Sequence, residues 1–242
     1  MSELPELLRL GLASVAIGVG SVVQGAVGFG LALVAAPVCV LLEPRLVPGP
    51  ILAASLVLTV VVSLRERGAM DVRGAGWALV GRVPGTLAGG LLLLRLSHSM
   101  LSMVFAGLVL LGVGLTAFGP TVSPTRRALL LAGAAGGVMG TVASIGGPPM
   151  ALVLQREAGA RLRGTLAAYF TVGSLMSLLV LVGIGRFGRW ELMASAVLLP
   201  GVLVGYLASR RFTAWLDAGR TRSAVLAVSA VSALALLARH VW

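Results

Sequence analysis

Two glycine-rich stretches interrupt an otherwise apolar sequence, Gln24-Gly25-Ala26-Val27-Gly28-Phe29-Gly30 and Ser144-Ile145-Gly146-Gly147-Pro148-Pro149. Gly25, Gly28 and Gly30 in the first, with Gly146 and Gly147 in the second, let the backbone leave helical geometry and approach a ligand closely. Pro148 and Pro149 cannot continue a hydrogen-bond ladder from behind but suit the first turn of a new helix, so a helix is predicted to begin at one of them. Such a start aims unpaired N–H groups and the positive end of a helix dipole at the break, which is the chemistry of an anion cradle built from backbone. Polar side chains flank the breaks, Gln24 at the first and Thr141 and Ser144 at the second, and Phe29, Ile145 and Pro148 complete the candidate set there. Close helix packing through small residues is the competing reading. It suits scattered glycines such as Gly89, Gly90, Gly112 and Gly114 better than two breaks at matching places in the two halves.

Arg82 is the one arginine well inside an apolar segment, within Ala78-Leu79-Val80-Gly81-Arg82-Val83-Pro84-Gly85. It lies about six residues, roughly 9 Å of helical rise, from the segment's start. A cation at that depth either faces the interior of a helical bundle, where an anion is its natural partner, or snorkels to the interface. Two polar rows follow helical spacing: Ser55, Thr59 and Ser63, and Thr171, Ser174 and Ser177. Hydrogen bonding between helices is the commoner use of such rows. Ser55, Thr171 and Ser174 are also candidates to line a pathway.

The absences narrow the chemistry. No Asp or Glu lies in the body of a segment, and His98 and His240 stand at segment ends. A relay of buried carboxylates is therefore not expected, and no phosphate-binding loop, His-Glu-x-x-His zinc motif or glycine-flanked serine elbow is present. Cys39 is the only cysteine, so no intrachain disulfide or thiolate metal cluster can form. The expectation is a chain that is not an enzyme and needs no metal or cofactor.

The elements that must position these residues are membrane helices. Apolar residues make up 58% and charged residues 11% of the chain, against about 25% charged in soluble domains, and mean hydropathy is +1.03. Apolar segments are predicted over 8–23, 31–42, 49–64, 76–94 and 100–118, then over 128–143, 150–154, 165–184, 191–208 and 222–238. Most approach the length needed to cross a hydrocarbon core of about 30 Å. The order repeats, so residues 1–119 read as a first transmembrane repeat, 120–125 as a proline-containing linker and 126–242 as a second repeat. Glu3 and Glu6, with no basic stretch before the apolar run, argue for a retained first helix over a cleaved signal peptide.

The net charge of +11 comes from 19 arginines and no lysine, clustered in short loops. Those loops lack the aromatic interleaving of a nucleic-acid platform, so the lipid bilayer and not nucleic acid is the expected partner of this charge. Suppose each break turns the chain back to the side it came from. Arg65, Arg67, Arg73, Arg126, Arg127, Arg156, Arg161, Arg163, Arg210, Arg211, Arg220 and Arg222 then share one side, and Arg9, Arg45, Arg95, Arg186, Arg189 and Arg239 the other. The positive-inside rule makes the first group cytoplasmic and both termini extracytoplasmic. The two halves then run antiparallel. The predicted fold is an all-α polytopic membrane protein of two inverted repeats, each with a glycine-rich broken or re-entrant helix pair.

Gly25-x-x-Gly28-Phe29-Gly30 followed by Pro37 is similar to the first signature of the sulfite exporter TauE/SafE family of permeases, and Gly140-Thr141-Val142-Ala143-Ser144-Ile145-Gly146-Gly147-Pro148-Pro149 resembles the second. The resemblance covers essentially the whole chain in length, two-half layout and motif placement. It implies a multi-pass protein of the cell inner membrane, a secondary carrier for sulfite, an organosulfonate or a similar small anion. Substrate would bind near the bilayer midplane between the two breaks, and the halves would rock to give alternating access. A passive anion channel and a non-transporting membrane assembly subunit are the alternatives, and a homo-oligomer is compatible with either class.

Overall fold

The computed structural model describes residues 5–120, 122–157 and 159–216. The expected segment 222–238 lies outside the described residues, as do Arg220, Arg222, Arg239 and His240. The rest is helical and, among the described residues, contains no strand. In chain order the helices are α1 (Glu6–Val27), α2 (Leu31–Leu42), α3 (Gly49–Arg65), α4 (Val72–Arg95), α5 (His98–Phe118), α6 (Arg126–Ala143), α7 (Gly147–Val153), α8 (Gly159–Gly183) and α9 (Arg189–Leu216), with a 3₁₀ turn at Pro44–Leu46. Five stretches are long and apolar enough to cross a bilayer: Glu6–Val27, Val72–Arg95, Met100–Phe118, Gly159–Gly183 and Arg189–Arg211. Large apolar side chains such as Leu91, Leu94, Leu179, Val204 and Leu207 point outward on these helices, as they must where the surrounding solvent is hydrocarbon.

Local chemistry sets the helix ends. The side chains of Asp71, Ser97 and Thr125 accept from the backbone N–H groups of Gly74, Met100 and Ala128, and so satisfy orphan donors at the starts of α4, α5 and α6. The first break is narrower than expected. Residues 24–27 stay helical, α1 ends on Gly28 in the left-handed conformation (φ 106°), and Gly30 (φ 120°) starts α2. The second break ends α6 on Ser144, also left-handed (φ 64°), and α7 starts at Gly147, one residue before Pro148. After each break the chain folds back along the helix it left, because glycines remove the intervening side chains. A Cβ at Gly20 would lie 2.6 Å from the Leu31 carbonyl oxygen, and one at Gly136 would lie 2.8 Å from that of Gly146.

Packing joins helices from opposite halves of the sequence. α4 lies on α6, where a Cβ at Gly81, Gly85 or Gly133 would overlap the backbone of Leu130, Ala134 or Ala78 respectively. α9 lies on α1 in the same manner, with Gly201 on Ser14 and Gly205 on Gly18. α3 packs against α8, and α5 covers α7 and α2. One end of the bundle gathers Arg9, Arg45 and Arg186, with Arg9 paired to Glu43 at 3.1 Å and Trp190 Nε1 donating to Glu6 at 3.0 Å. The other end gathers Arg65, Arg161 and Arg163 around Glu66 and Asp71. α3 runs from the first end, where Gly49 meets Phe187, to the second.

Candidate functional site

The two breaks meet around a small buried cavity of about 20 Å3. That is room for about one water molecule. From the first break Gln24, Phe29 and Gly30 line it, and from the second Ser144, Ile145, Gly146, Gly147 and Pro148. Ser55 reaches it from α3, Arg82 from α4 and Ser174 from α8. Pairing of α4 with α6 and of α3 with α8 brings these residues to one place from both halves of the chain.

Four of the expected residues do not line the cavity, and each is engaged elsewhere. The Gly25 carbonyl accepts from Arg65 Nη2 at 3.1 Å, and its Cα faces the Ser209 side chain. Gly28 backs onto Arg163 and Leu166. Thr141 shares a hydrogen bond with Ser177 at 3.0 Å, and Thr171 one with Ser63 at 3.3 Å. For Ser177 and Thr171 the commoner use of polar rows, joining helices, is the one the structure displays, and Thr141 is drawn into the first of these bonds.

Arg82 faces inward, with 1% of its surface exposed. Among the described residues none of the ion pairs involves it, and its Nε and Nη1 are buried without a hydrogen-bond partner. Its Cζ sits 4.7 Å from the centroid of the Tyr169 ring, a cation–π contact worth about 0.5–2 kcal/mol. Glycines make the channel through which the side chain runs. A Cβ at Gly173 would overlap the guanidinium, and one at Gly140 or Gly146 would lie 2.9 Å from Nη2 or 3.4 Å from Nη1. A guanidinium is always charged, and a buried charge without a partner is among the costliest groups a fold can hold.

Gln24 supplies a further donor. Its Oε1 accepts from Leu31 N–H at 3.1 Å, which caps the start of α2, while Nε2 is buried without a partner. Ser144 instead spends its proton on the Pro48 carbonyl at 2.9 Å. The unsatisfied groups of the lining are thus three N–H-bearing nitrogens, on Arg82 and Gln24. An acceptor-only ligand with negative charge answers all three.

Some of the lining was not foreseen: Ala32, Leu33, Leu52 and Phe170 make its apolar walls. Tyr169, which reads in sequence as an interface anchor or core residue, is a fully buried core residue and also holds Arg82. Tyr169 and Gly173 are four apart on α8 and so share a face, but nothing in the sequence links that face to a residue on α4.

At the end bearing Arg45, Glu43 accepts from Arg45 Nε at 3.0 Å. Burial works to raise the Glu43 carboxyl, but the hydrogen bonds and charge of Arg45, with the charge of Arg9, outweigh it and hold the group below its ordinary 4.5.

The family described as sulfite exporter TauE/SafE matches residues 12–236. A protein of Cupriavidus necator named "Probable sulfite/organosulfonate exporter TauE" is 25% identical over 234 residues, covering 90% of each chain. No solved structure matches the chain. With its helices apolar enough to span a bilayer several times and the family matched over nearly its whole length, this chain belongs to the sulfite exporter TauE/SafE family of membrane transport proteins.

Proposed function

We propose that the chain is a secondary transporter that moves a small sulfur-containing anion, sulfite or an organosulfonate, across the inner membrane by alternating access. The observation that carries this reading is the buried Arg82 beside Gln24, whose Nε, Nη1 and Nε2 are donors without acceptors, at a cavity between the two breaks. The anion accepts from Arg82 Nε and Nη1 and from Gln24 Nε2, with the hydroxyls of Ser55 and Ser174 at its flanks. The name borne by the Cupriavidus relative supports sulfur oxyanions as the class. A cavity of about 20 Å3 is too small for such an anion, so its walls must part for the substrate to bind, which agrees with a carrier better than with an open channel.

Two repeats of opposite orientation, 1–119 and 126–242 joined by 120–125, supply the moving parts in this reading. Its support lies in the paired features of the halves. Pro84-Gly85 on α4 answers Pro200-Gly201 on α9, the left-handed Gly28 answers Ser144, and the α4–α6 packing answers α9–α1. Arginine placement then puts the end bearing Arg45 and both termini outside the cytoplasm.

The test is uptake of labelled sulfite, sulfate, thiosulfate and ethanesulfonate into proteoliposomes. Saturable uptake with counter-transport is expected for a subset of these anions, and Arg82→Gln is expected to lower it by about 10- to 100-fold. Equal flux of every anion, untouched by Arg82→Gln, would overturn the site. Rapid unsaturable current would favour a channel instead.

A further inference from the structure

A second cavity of about 210 Å3 lies at the end of the bundle that carries Arg45 and Arg186. It is far larger than the Arg82 cavity, and residues that line the two are in direct contact. Ser144 lines the small cavity and its hydroxyl donates to the carbonyl of Pro48, which lines the large one. Leu52 lines the small cavity and belongs to one buried cluster with Leu93 and Val142, which line the large one.

The large cavity is apolar on its α5 side, at Leu101 and Phe105, and cationic at Arg45 and Arg186, with the single carboxylate of Glu191. Both guanidinium groups are held. Arg45 lies 4.0 Å over the Trp190 ring and bonds Glu43, which Arg9 also pairs, and Arg186 Nη2 donates to the Leu93 carbonyl at 3.1 Å. Glu191 spends one oxygen on Gly188 N–H at 2.8 Å. Arg45 is balanced by Glu43 and lies near Glu6, whereas none of the ion pairs among the described residues involves Arg186, so the positive character of the lining beside the apolar wall rests chiefly on Arg186.

We infer that this cavity is a vestibular binding site for the transported anion, shaped for an oxyanion that carries a short apolar group, such as an alkylsulfonate. The anionic head sits at Arg45 and Arg186, and the apolar group lies against Leu101 and Phe105. The Ser144–Pro48 hydrogen bond and Leu52 form the gate to Arg82. This rests on the transport reading above. It adds a second site on one face of the membrane and makes the affinity at that face separable from the affinity at the other.

The experiment uses the full chain in phosphatidylcholine proteoliposomes, sorted by orientation, with labelled ethanesulfonate presented to each face in turn. Arg45→Gln/Arg186→Gln is expected to raise the KM at the vestibular face about tenfold relative to the KM at the opposite face. The matching lysine pair is expected to restore most of that ratio. A volume-filling Ser102→Phe gives an independent variant, and it too must raise KM on that face alone. An unchanged ratio, or an equal rise at both faces, overturns the vestibular site while leaving the transport reading standing. A rise seen only when phosphatidylglycerol is added assigns the cavity to a lipid head group and overturns it as well. No saturable uptake by the unmodified chain would overturn both.

Discussion

Arg82 owes its position to groups that are individually weak. The Tyr169 face attracts it, and Gly140, Gly146 and Gly173 leave the space it fills. Tyr169→Phe keeps the ring and loses the hydroxyl, with its long bond to the Gly133 carbonyl, 3.4 Å, and its interaction with the Arg82 guanidinium. Transport by that variant should stay within about threefold of the parent, whereas Tyr169→Leu should lose about tenfold because the cation–π contact goes. Equal effects of the two substitutions in the flux assay would mean that the ring is not what holds the arginine. Glu43 offers a pH test at the same scale. Its carboxyl titrates below 4.5 in the fold, so its contribution to stability is complete above that value and is lost as pH falls through the lowered one. Thermal unfolding in detergent should therefore show Glu43→Gln less stable than the parent near neutral pH. The gap should close as the solution is acidified below 4.5.

Among the elements, the α4–α6 contact is the tightest joint around the site. Gly85 meets the Ala134 backbone with no space for a methyl group, and overpacking of this kind costs about 1–3 kcal/mol or more. Gly85→Leu should lower Tm by about 5 °C or more and reduce transport, since α4 carries Arg82. Gly107→Leu is the control, because a Cβ at Gly107 meets nothing within 4 Å. Helix existence here was legible from hydropathy, and α2 occupies the expected 31–42. The first break was less so: Gln24 and Gly25 stay helical because α1 needs no left-handed residue until Gly28, where a glycine meets that need without strain.

At the scale of the whole molecule, alternating access requires the halves to move against each other. Ser63 on α3 and Thr171 on α8 come from different halves, with their hydroxyl oxygens 3.3 Å apart. A disulfide between Ser63→Cys and Thr171→Cys, made in a Cys39→Ala background, would tie the two halves together at this contact. It should arrest ethanesulfonate transport, and a thiol reductant should restore it. Undiminished flux in the oxidised protein would sink a rocking mechanism.

By itself the sequence determined the membrane class, the neighbourhoods in which helices break and the presence of a lone arginine, Arg82, inside an apolar segment. Hydropathy, the φ limits of glycine and proline, and the cost of a charge in hydrocarbon are properties of a residue and its near neighbours. Only the tertiary structure decided which polar residues face the cavity. Ser174 lines it while Thr171, one turn away, bonds Ser63; Gln24 lines it while Gly25 turns to Ser209. That choice depends on how each helix is rotated about its axis and, for residues on one face such as Thr171 and Ser174, on what crosses that face at each level. The rotation is fixed by glycine surfaces on α4, α6, α9 and α1 that fit one another across the two halves of the chain. Complementarity between segments so far apart leaves no local pattern to read, and so neither the partnership of Arg82 with Tyr169 nor the contact between the walls of the two cavities could be read from the residues alone.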